Sequence, residues 1–255
     1  MNNKTPKLTV VGAGPGDVDL ITIKAIKAIE SADVILYDAL INEELLKYAS
    51  KDAEIIFVGK RKGCYAFQQE QINELIVSKA KEKGHVVRLK GGDPFIFGRG
   101  AEEIDYVQPF GLETYVVPGI SSVSAVPAYQ GISLTKRHAA ESFWVITGTT
   151  KNHQLSTDVP LAAKSTATVV ILMGMGKLEE IVKVFSEENK QDTAVAIIQE
   201  GTTENEKVGI GTISTIQQVV EEKQLTSPAI IVIGDVVKER VALSSLVENL
   251  NENLG

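Results

Sequence analysis

The residues best suited to chemistry lie in the stretch 88–100, which reads RLKGGDPFIFGRG. Its four glycines let the backbone turn sharply and approach a ligand closely. Asp93 precedes a proline, which favours an extended conformation and leaves the carboxylate able to accept hydrogen bonds. We expect Arg88, Lys90 and Arg99 to surround Asp93 with positive charge. Taken alone, the stretch is equally consistent with a tight turn containing a salt bridge.

Two further polar residues follow predicted strands and suit proton transfer. Asp38 follows VILY at 34–37, and Lys60 comes shortly after EIIFV at 54–58. An acid and a lysine at neighbouring strand ends can serve as a proton-transfer pair. The plainer interpretation is a helix cap or turn residue for Asp38 and a solvated basic run for Lys60.

The loop 12–16, GAGPG, resembles a dinucleotide-binding turn because it lies between a predicted strand and a predicted helix. Its third required glycine is replaced by Asp17, whose charge would repel a pyrophosphate. Pro15 also removes one backbone N–H donor. The loop therefore favours a ligand without phosphate groups.

Alternating strands and helices position these residues in the first half of the chain. Strands are predicted at 7–11, 34–37, 54–58, 86–89 and 113–117, with helices at 20–31 and 69–83. Such alternation indicates a mostly parallel sheet covered on both faces. We expect the polar segments that follow the strands to meet at one edge of that sheet. These segments are 12–17, Asp38, 59–61 and 91–93.

The second half begins near Pro118 and predicts a separate α/β domain. Strands are predicted at 143–147, 168–173, 194–199 and 228–234, a helix at 177–186, and a strand or turn at 209–214. The turn-rich segment 200–205 indicates a hairpin, so this sheet is predicted to be mixed. The resulting domains are 7–117 and 118–240, followed by a weakly amphipathic tail at 241–255 that is predicted to form a fraying helix from about Val236.

Composition excludes several classes of function. The 255 residues are 44% hydrophobic and carry a net charge of −7, which indicates a folded core and no general attraction to nucleic acid. No apolar run approaches the roughly 20 residues that span a bilayer, so no membrane association is expected. A single cysteine, Cys64, fits the reducing cytoplasm. The scattered histidines give no close ligand spacing, and no metal is expected.

Together these residues resemble the tetrapyrrole methylases that use S-adenosylmethionine. The resemblance extends over 8–237, nearly the whole chain. It is carried by VGAGPGD at 11–17, VILYD at 34–38, GKR at 59–61, the stretch 88–100, VVPGIS at 116–121, GISLT at 131–135 and MG at 173–174. The stretch 88–100 is the most specific of these segments, whereas the glycine-rich first loop is shared across the wider superfamily.

The resemblance implies a fold, an activity and an assembly. The fold is α/β, with two α/β domains and a ligand cleft between them, and is not that of a Rossmann methyltransferase. The activity is S-adenosylmethionine-dependent methylation of uroporphyrinogen III at two carbons, giving precorrin-2 on the route to sirohaem or cobalamin. A cytoplasmic homodimer without a metal is implied.

The resemblance also assigns roles to individual residues. It implies that the methyl donor is contacted by Pro15, Gly91, Gly92, Asp93, Ile96, Ser121, Ser122, Met173 and Gly201. It implies that Asp38 is the proton acceptor and Lys60 the proton donor. Candidate contacts for the acidic macrocycle are Arg61, Lys62, Arg99, Lys136 and Arg137, because arginine suits bidentate contacts with carboxylates.

The chain departs from the family pattern at three places where the acceptor is expected. It has LTKRH at 134–138 where members usually have LTHRD, and TGT at 147–149 where they have TGH. Cys64-Tyr65 replaces a histidine that is common after the GKR loop. These departures leave open a methylase acting on a later precorrin. A regulatory module that binds the donor without turnover is the other alternative.

Overall fold

The computed structural model describes residues 5–59 and 67–243. The chain divides after Ser122 into two compact units, each built around one five-stranded β-sheet. Helices pack on the sheet in each unit, which confirms the predicted α/β class with two sheets.

The first unit contains a wholly parallel sheet. Its strands are β1 (Lys7–Gly12), β2 (Val34–Tyr37), β3 (Glu54–Phe57), β4 (His85–Lys90) and β5 (Glu113–Val117). Its helices are α1 (Ile23–Glu30), α2 (Gln69–Lys83) and α3 (Gly100–Val107). The strand order is β3-β2-β4-β1-β5, and every neighbouring pair is parallel. All five carboxyl ends therefore lie at the same edge of the sheet.

Both faces of this sheet carry apolar side chains that pack against helices. Leu8, Val34 and Val86 lie on the face that packs against α2 and α3. Val11 and Ile35 lie on the opposite face, which packs against α1. Side chains of a strand alternate between faces, so a strand buried on both sides reads as a continuous apolar run.

Local signals set the ends of the helices in the first unit. The Thr22 side chain accepts a hydrogen bond from the Ala25 N–H and caps α1. Helix α2 begins after Gln68 in a reciprocal capping arrangement and ends at Gly84, whose φ is 116°. Glycine adopts this backbone conformation at little cost, as the sequence predicts for this position.

The second unit contains a mixed sheet, as predicted. Its strands are β6 (Phe143–Thr147), β7 (Thr168–Leu172), β8 (Ala194–Gln199), β9 (Lys207–Thr212) and β10 (Ala229–Ile233). The order is β6-β7-β10-β8-β9; the β6–β7 pair is parallel and the other neighbours are antiparallel. The predicted hairpin is formed by β8 and β9.

Up to residue 243, where the described part of this unit ends, four helices accompany the sheet: α4 (Ser122–Tyr129), α5 (Asp158–Lys164), α6 (Leu178–Glu187) and α7 (Ile216–Lys223). The sequence pattern predicts only α6 of these, because the others span seven or eight residues and α4 contains Pro127. Packing on the sheet, rather than a long periodic pattern, stabilises such short helices. In the described ranges, no helix combines the length and apolar character that a bilayer-spanning segment needs.

The end of the chain is only partly described. A short 3₁₀ turn at Asp235–Val237 is followed by 241–243 without regular structure. Most of the tail predicted to form a fraying helix, 244–255, lies outside the described residues.

Candidate functional site

At the carboxyl edge of the first sheet, the loops after β1, β4 and β5 are in backbone contact. Gly14 N donates to Gly92 O at 3.3 Å, and Gly92 N donates to Gly14 O at 2.7 Å. A Cβ atom on Gly12 would lie 2.5 Å from Gly119 N, closer than two such atoms can approach. The glycines are therefore required for three loops to meet.

The loop after β2 joins the same edge. Asn42 Nδ2 donates a hydrogen bond to Gly16 O at 3.1 Å. A Cβ atom on Gly91 would lie 2.9 Å from the Leu40 Cβ, so the loop after β4 also contacts the loop after β2. The expected meeting of the segments after β1, β2 and β4 is thus present in the first unit, whereas 60–61, which follow β3, lie outside the described residues.

Asp93 is held by backbone donors from two loops. Its Oδ1 accepts from Phe95 N at 2.8 Å, and its Oδ2 accepts from Gly119 N at 3.1 Å. This carboxylate therefore fixes the loop that contains it and ties that loop to the end of β5.

The expectation that Arg88 and Lys90 surround Asp93 is wrong. Both side chains leave β4 on the face that packs against α2 and α3, where they form ion pairs with Asp38 and Glu103. Arg99 is exposed at the start of α3, and no ion pair joins it to Asp93 within the described residues. Side chains alternate along a strand, so Arg88 and Lys90 lie on the same face of β4. Asp93 lies beyond the end of that strand, in the loop, and the two cations do not pair with it.

Asp38 lies at the end of β2, half-buried against a buried ion network. Arg88 Nη2 is 2.6 Å from Asp38 Oδ1, and Lys90 Nζ is 3.8 Å from Asp38 Oδ2. Glu103 Oε1 accepts from Arg88 Nε at 3.2 Å and from Lys90 Nζ at 2.8 Å. Among the described residues, the network thus contains two basic and two acidic side chains.

Burial and charge shift the two basic groups in opposite directions. Burial acts to lower the pKa of Arg88, but the carboxylates of Glu103 and Asp38 outweigh it and raise that pKa. For Lys90, burial and the neighbouring Arg88 charge lower the pKa, and Glu103 and Asp38 offset this only in part. Arg88 is thus the fixed cation beside Asp38.

An exposed apolar segment borders this edge. Phe95, Ile96 and Phe97 expose 51%, 42% and 46% of their surface, and Leu40 exposes 64%. Phe97 also has a φ of 54°, a left-handed conformation that is rare for a bulky residue. Exposed apolar groups beside polar loops are typical of ligand sites.

The predicted donor-binding residues of the first unit lie in these converging loops. Pro15 stands between Gly14, which is hydrogen-bonded to Gly92, and Gly16, whose carbonyl accepts from Asn42. Gly91, Gly92 and Asp93 belong to the loop after β4. A Cβ atom on Gly92 would lie 3.8 Å from the backbone nitrogen of Ser122, which begins α4. Ser121 and Ser122 therefore border the same loop as Gly92.

The two remaining predicted donor-binding residues belong to the second unit. Met173 follows β7 with a φ of 55° and 52% exposure, and its carbonyl accepts a hydrogen bond from Thr149 Oγ1 at 2.8 Å. Gly201 follows β8, and a Cβ atom there would lie 2.4 Å from a methyl carbon of Val126. Strands β7 and β8 both run antiparallel to β10, so both residues follow strands that end at the same edge of their sheet.

The predicted macrocycle-binding cations of the second unit have different environments. Lys136 Nζ binds the Glu239 carboxylate at 2.8 Å and the Glu239 carbonyl at 3.1 Å. Arg137 is exposed beside His138, whose φ is 70°. A shallow concavity of about 430 Å³ is lined by 135–138, Ala140 and Glu141. Arg137 is therefore the more available of the two predicted cations.

Several predicted residues lie outside the described part of the chain: Lys60, Arg61, Lys62, Cys64 and Tyr65. Among the residues that are described, no group of three or more His, Cys, Asp or Glu side chains is placed to hold a metal ion.

Glu103 was not identified as a site residue from the sequence, although a signal was present. In α3 the buried positions are Gly100, Glu103 and Val107, which recur at helical spacing on one face. A carboxylate on a buried helical face requires a buried cation as its partner. Arg88, two residues after the buried Val86 of β4, is such a cation.

Comparison with known proteins places the chain among its relatives. The family model for Tetrapyrrole (Corrin/Porphyrin) Methylases matches residues 7–217. A protein named uroporphyrinogen-III C-methyltransferase from Methanocaldococcus jannaschii is 50% identical over 235 residues, covering 91% of this chain and 97% of the relative. A siroheme synthase from Nitrosomonas europaea is 41% identical over 92% of this chain, but the match covers only 50% of that longer protein.

A solved structure agrees with these sequence matches. The crystal structure of uroporphyrin-III C-methyl transferase from Thermus thermophilus, complexed with S-adenyl homocysteine, has a TM-score of 0.79 at 32% identity. The match covers 91% of this chain and 99% of that one. With the family model covering most of its length, this chain belongs to the tetrapyrrole (corrin/porphyrin) methylases.

Proposed function

We propose that the chain transfers two methyl groups from S-adenosylmethionine to carbons of uroporphyrinogen III, giving precorrin-2 for sirohaem or cobalamin synthesis. The observation that carries the proposal is the meeting of four strand-end loops beside the half-buried carboxylate of Asp38. The names of the relatives from M. jannaschii and T. thermophilus support this substrate and this donor.

The glycine-lined edge of the first unit fits the donor. Because Gly12, Gly92 and Gly119 lack side chains, the backbone carbonyl and N–H groups around them lie close together. Such groups suit an amino-acid ammonium and carboxylate, and the Asp93 carboxylate adds negative charge for a sulfonium. Bound S-adenosylmethionine supplies a methyl group carried on positively charged sulfur.

The residues that would hold the donor are those assigned by the family resemblance. In the first unit they are Pro15, Gly91, Gly92, Asp93, Ile96, Ser121 and Ser122, and in the second unit Met173 and Gly201. Backbone strain at Met173 supports its assignment, because strained residues concentrate at binding sites. A glycine is also required at position 201 because a Cβ atom there would clash with the Val126 side chain.

Asp38 is the proposed proton acceptor. Methylation of a pyrrole-type carbon leaves the ring cationic until a proton departs, and a carboxylate both stabilises that charge and accepts the proton. Arg88 holds Oδ1 at 2.6 Å, whereas no described residue donates a hydrogen bond to Oδ2. Oδ2 is therefore the oxygen proposed to take the proton. Lys60 remains the proposed proton donor.

Basic residues are proposed to bind the acceptor's carboxylates. Arg99 and Arg137 are exposed, which leaves their guanidinium groups available for bidentate contacts. Lys136 must first release Glu239 if it is to bind substrate. Arg61 completes the proposed set.

A methylase acting on a later precorrin is the second candidate. It is favoured by the segment 134–138, where the chain departs from the family pattern and Lys136 is paired with Glu239. Radiolabelled S-adenosylmethionine, incubated separately with uroporphyrinogen III and with a later precorrin, distinguishes the two. Label in the first acceptor supports the proposal, and label in the second acceptor alone supports the rival.

A variant of Asp38 distinguishes an enzyme from a module that binds the donor without turnover. Asp38→Ala is expected to lose methyl transfer while retaining affinity for S-adenosylhomocysteine, measured by calorimetry. Full transfer activity in this variant would remove Asp38 from the proposed mechanism. We also propose that the chain is a cytoplasmic homodimer with a domain boundary at 117/118 and needs no metal. Sedimentation tests the dimer, and limited proteolysis tests the domain boundary. Assay in the presence of a chelator tests the independence from metals.

A further inference from the structure

We infer that Glu103 is a positioning residue: through Arg88 and Lys90 it fixes the Asp38 carboxylate with one oxygen bound and the other available. This inference rests on the proposed function, in which Asp38 accepts a proton. Glu103 itself lies on α3 and acts only through the two cations.

The burial of Glu103 is the first observation. Its side chain is fully buried, yet it is an acid, and a buried charge without partners is strongly destabilising. Its Oε1 accepts from Arg88 Nε at 3.2 Å, Lys90 Nζ at 2.8 Å and Gln69 Nε2 at 3.2 Å. Its Oε2 has no hydrogen-bond partner among the described residues. One oxygen thus organises three donors.

The second observation is how Arg88 is oriented. Glu103 binds Nε, and Nη1 donates to Leu36 O at 3.3 Å and to Leu89 O at 3.2 Å. These three contacts hold the planar guanidinium, which leaves Nη2 to meet Asp38 at 2.6 Å. Removing the carboxylate at Nε would free the plane to tilt, and Asp38 would follow it.

The third observation concerns Lys90. Its ammonium lies 2.8 Å from Glu103 but 3.8 Å from Asp38 Oδ2. Glu103 therefore competes for the ammonium and keeps it from forming a tight ion pair with Oδ2. Without that competition, the oxygen proposed to take the substrate proton would be bound by a cation instead.

The test uses single-turnover methyl transfer to uroporphyrinogen III, with S-adenosylhomocysteine affinity measured in parallel. Glu103→Gln keeps the side-chain size but removes its charge, and it is expected to slow transfer about 10- to 100-fold, as for loss of a hydrogen bond between charged groups. Affinity for S-adenosylhomocysteine is expected to stay within about twofold. Glu102→Gln, the same change at the neighbouring exposed position, is the matched control and should behave as the wild-type protein.

A charge-balanced variant guards against misfolding. Glu103→Gln with Lys90→Met removes one acid and one cation, leaving Arg88 paired with Asp38, and is expected to fold and to be slow. A wild-type rate of methyl transfer in either folded variant would overturn the inference. Equal losses of transfer rate and of S-adenosylhomocysteine affinity would also overturn it. Failure of both variants to fold would assign Glu103 to stability alone and also overturn it.

The wild-type reaction separates this inference from the proposed function. No methylation of uroporphyrinogen III by the wild-type chain would contradict the proposed function and the inference with it. Wild-type turnover combined with an unimpaired Glu103→Gln variant would contradict the inference alone.

Discussion

Gly119 N donates a hydrogen bond to Asp93 Oδ2 at 3.1 Å, which joins the loop after β4 to the loop after β5. The other carboxylate oxygen, Oδ1, accepts from Phe95 N within its own loop. Asp93 thus stabilises the backbone of the edge at which the donor is proposed to bind.

Asp93→Ala should weaken both the fold and donor binding, because it removes the acceptor of both bonds. We expect a loss of about 2 kcal/mol in the free energy of unfolding and about 10-fold or more in affinity for S-adenosylhomocysteine. Denaturant unfolding and calorimetry measure these values. Asp192→Ala, at an exposed position, is the control; equal affinities for the two variants would refute this role.

Gly12→Ala should destabilise the first unit. The added methyl group would lie 2.5 Å from Gly119 N and 2.6 Å from Gly92 O, so three loops would have to separate. We expect a cost of about 1–3 kcal/mol, as for other overpacked sites, together with weaker donor binding. At Gly176 the added methyl group meets no atom within 4 Å, so Gly176→Ala should leave unfolding unchanged or slightly improved. If both variants unfold alike, backbone contact is not the reason for the glycine.

Thr149→Val should loosen the strained turn at Met173. The Thr149 hydroxyl donates to the Met173 carbonyl at 2.8 Å, and valine removes the hydroxyl while keeping a similar shape. We expect a loss of about 1 kcal/mol in unfolding free energy and about fivefold in S-adenosylhomocysteine affinity. Thr149→Ser keeps the hydroxyl and should restore both. Failure of serine to do better than valine would exclude the hydrogen bond as the cause.

The lowered pKa of Lys90 predicts that the free energy of unfolding changes with pH in the alkaline range. Burial and the Arg88 charge lower this pKa in the folded chain from its ordinary 10.5, so between the two values the unfolded chain binds more protons. The contribution of Lys90 to the free energy of unfolding should therefore rise as the pH increases towards 10.5. Urea unfolding over this range, compared with Lys90→Met, measures it. A difference between the two proteins that stays constant or falls with pH contradicts the shift.

Much of the fold follows from local sequence. The spans 34–37, 113–117, 143–147 and 194–199 are predicted as strands and observed as strands with the same ends. Runs of β-branched residues bounded by polar ones specify buried strands without long-range information. The short helices α5 and α7 were missed because packing on a sheet, which the sequence window does not contain, stabilises them.

The site was predicted less completely for a related reason. Composition and position after a strand predict that Gly91, Gly92 and Asp93 lie in a loop at the carboxyl edge of the sheet, where the structure has them. Their contact with the donor stays a prediction. The partners of Arg88 and Lys90 depend on which helix covers their face of β4, and Glu103 becomes visible only when α3 is packed there. Electrostatic pairing between side chains 13 or 15 positions apart in the sequence depends on tertiary packing.

The most direct measurement is the mass and absorbance of the product formed when the purified chain is incubated with uroporphyrinogen III and S-adenosylmethionine. A product that has gained two methyl groups, absent when Asp38→Ala replaces the wild-type chain, is the result we predict. An unchanged acceptor mass with folded wild-type protein, or an unimpaired Asp38→Ala variant, would contradict methyl transfer at this carboxylate.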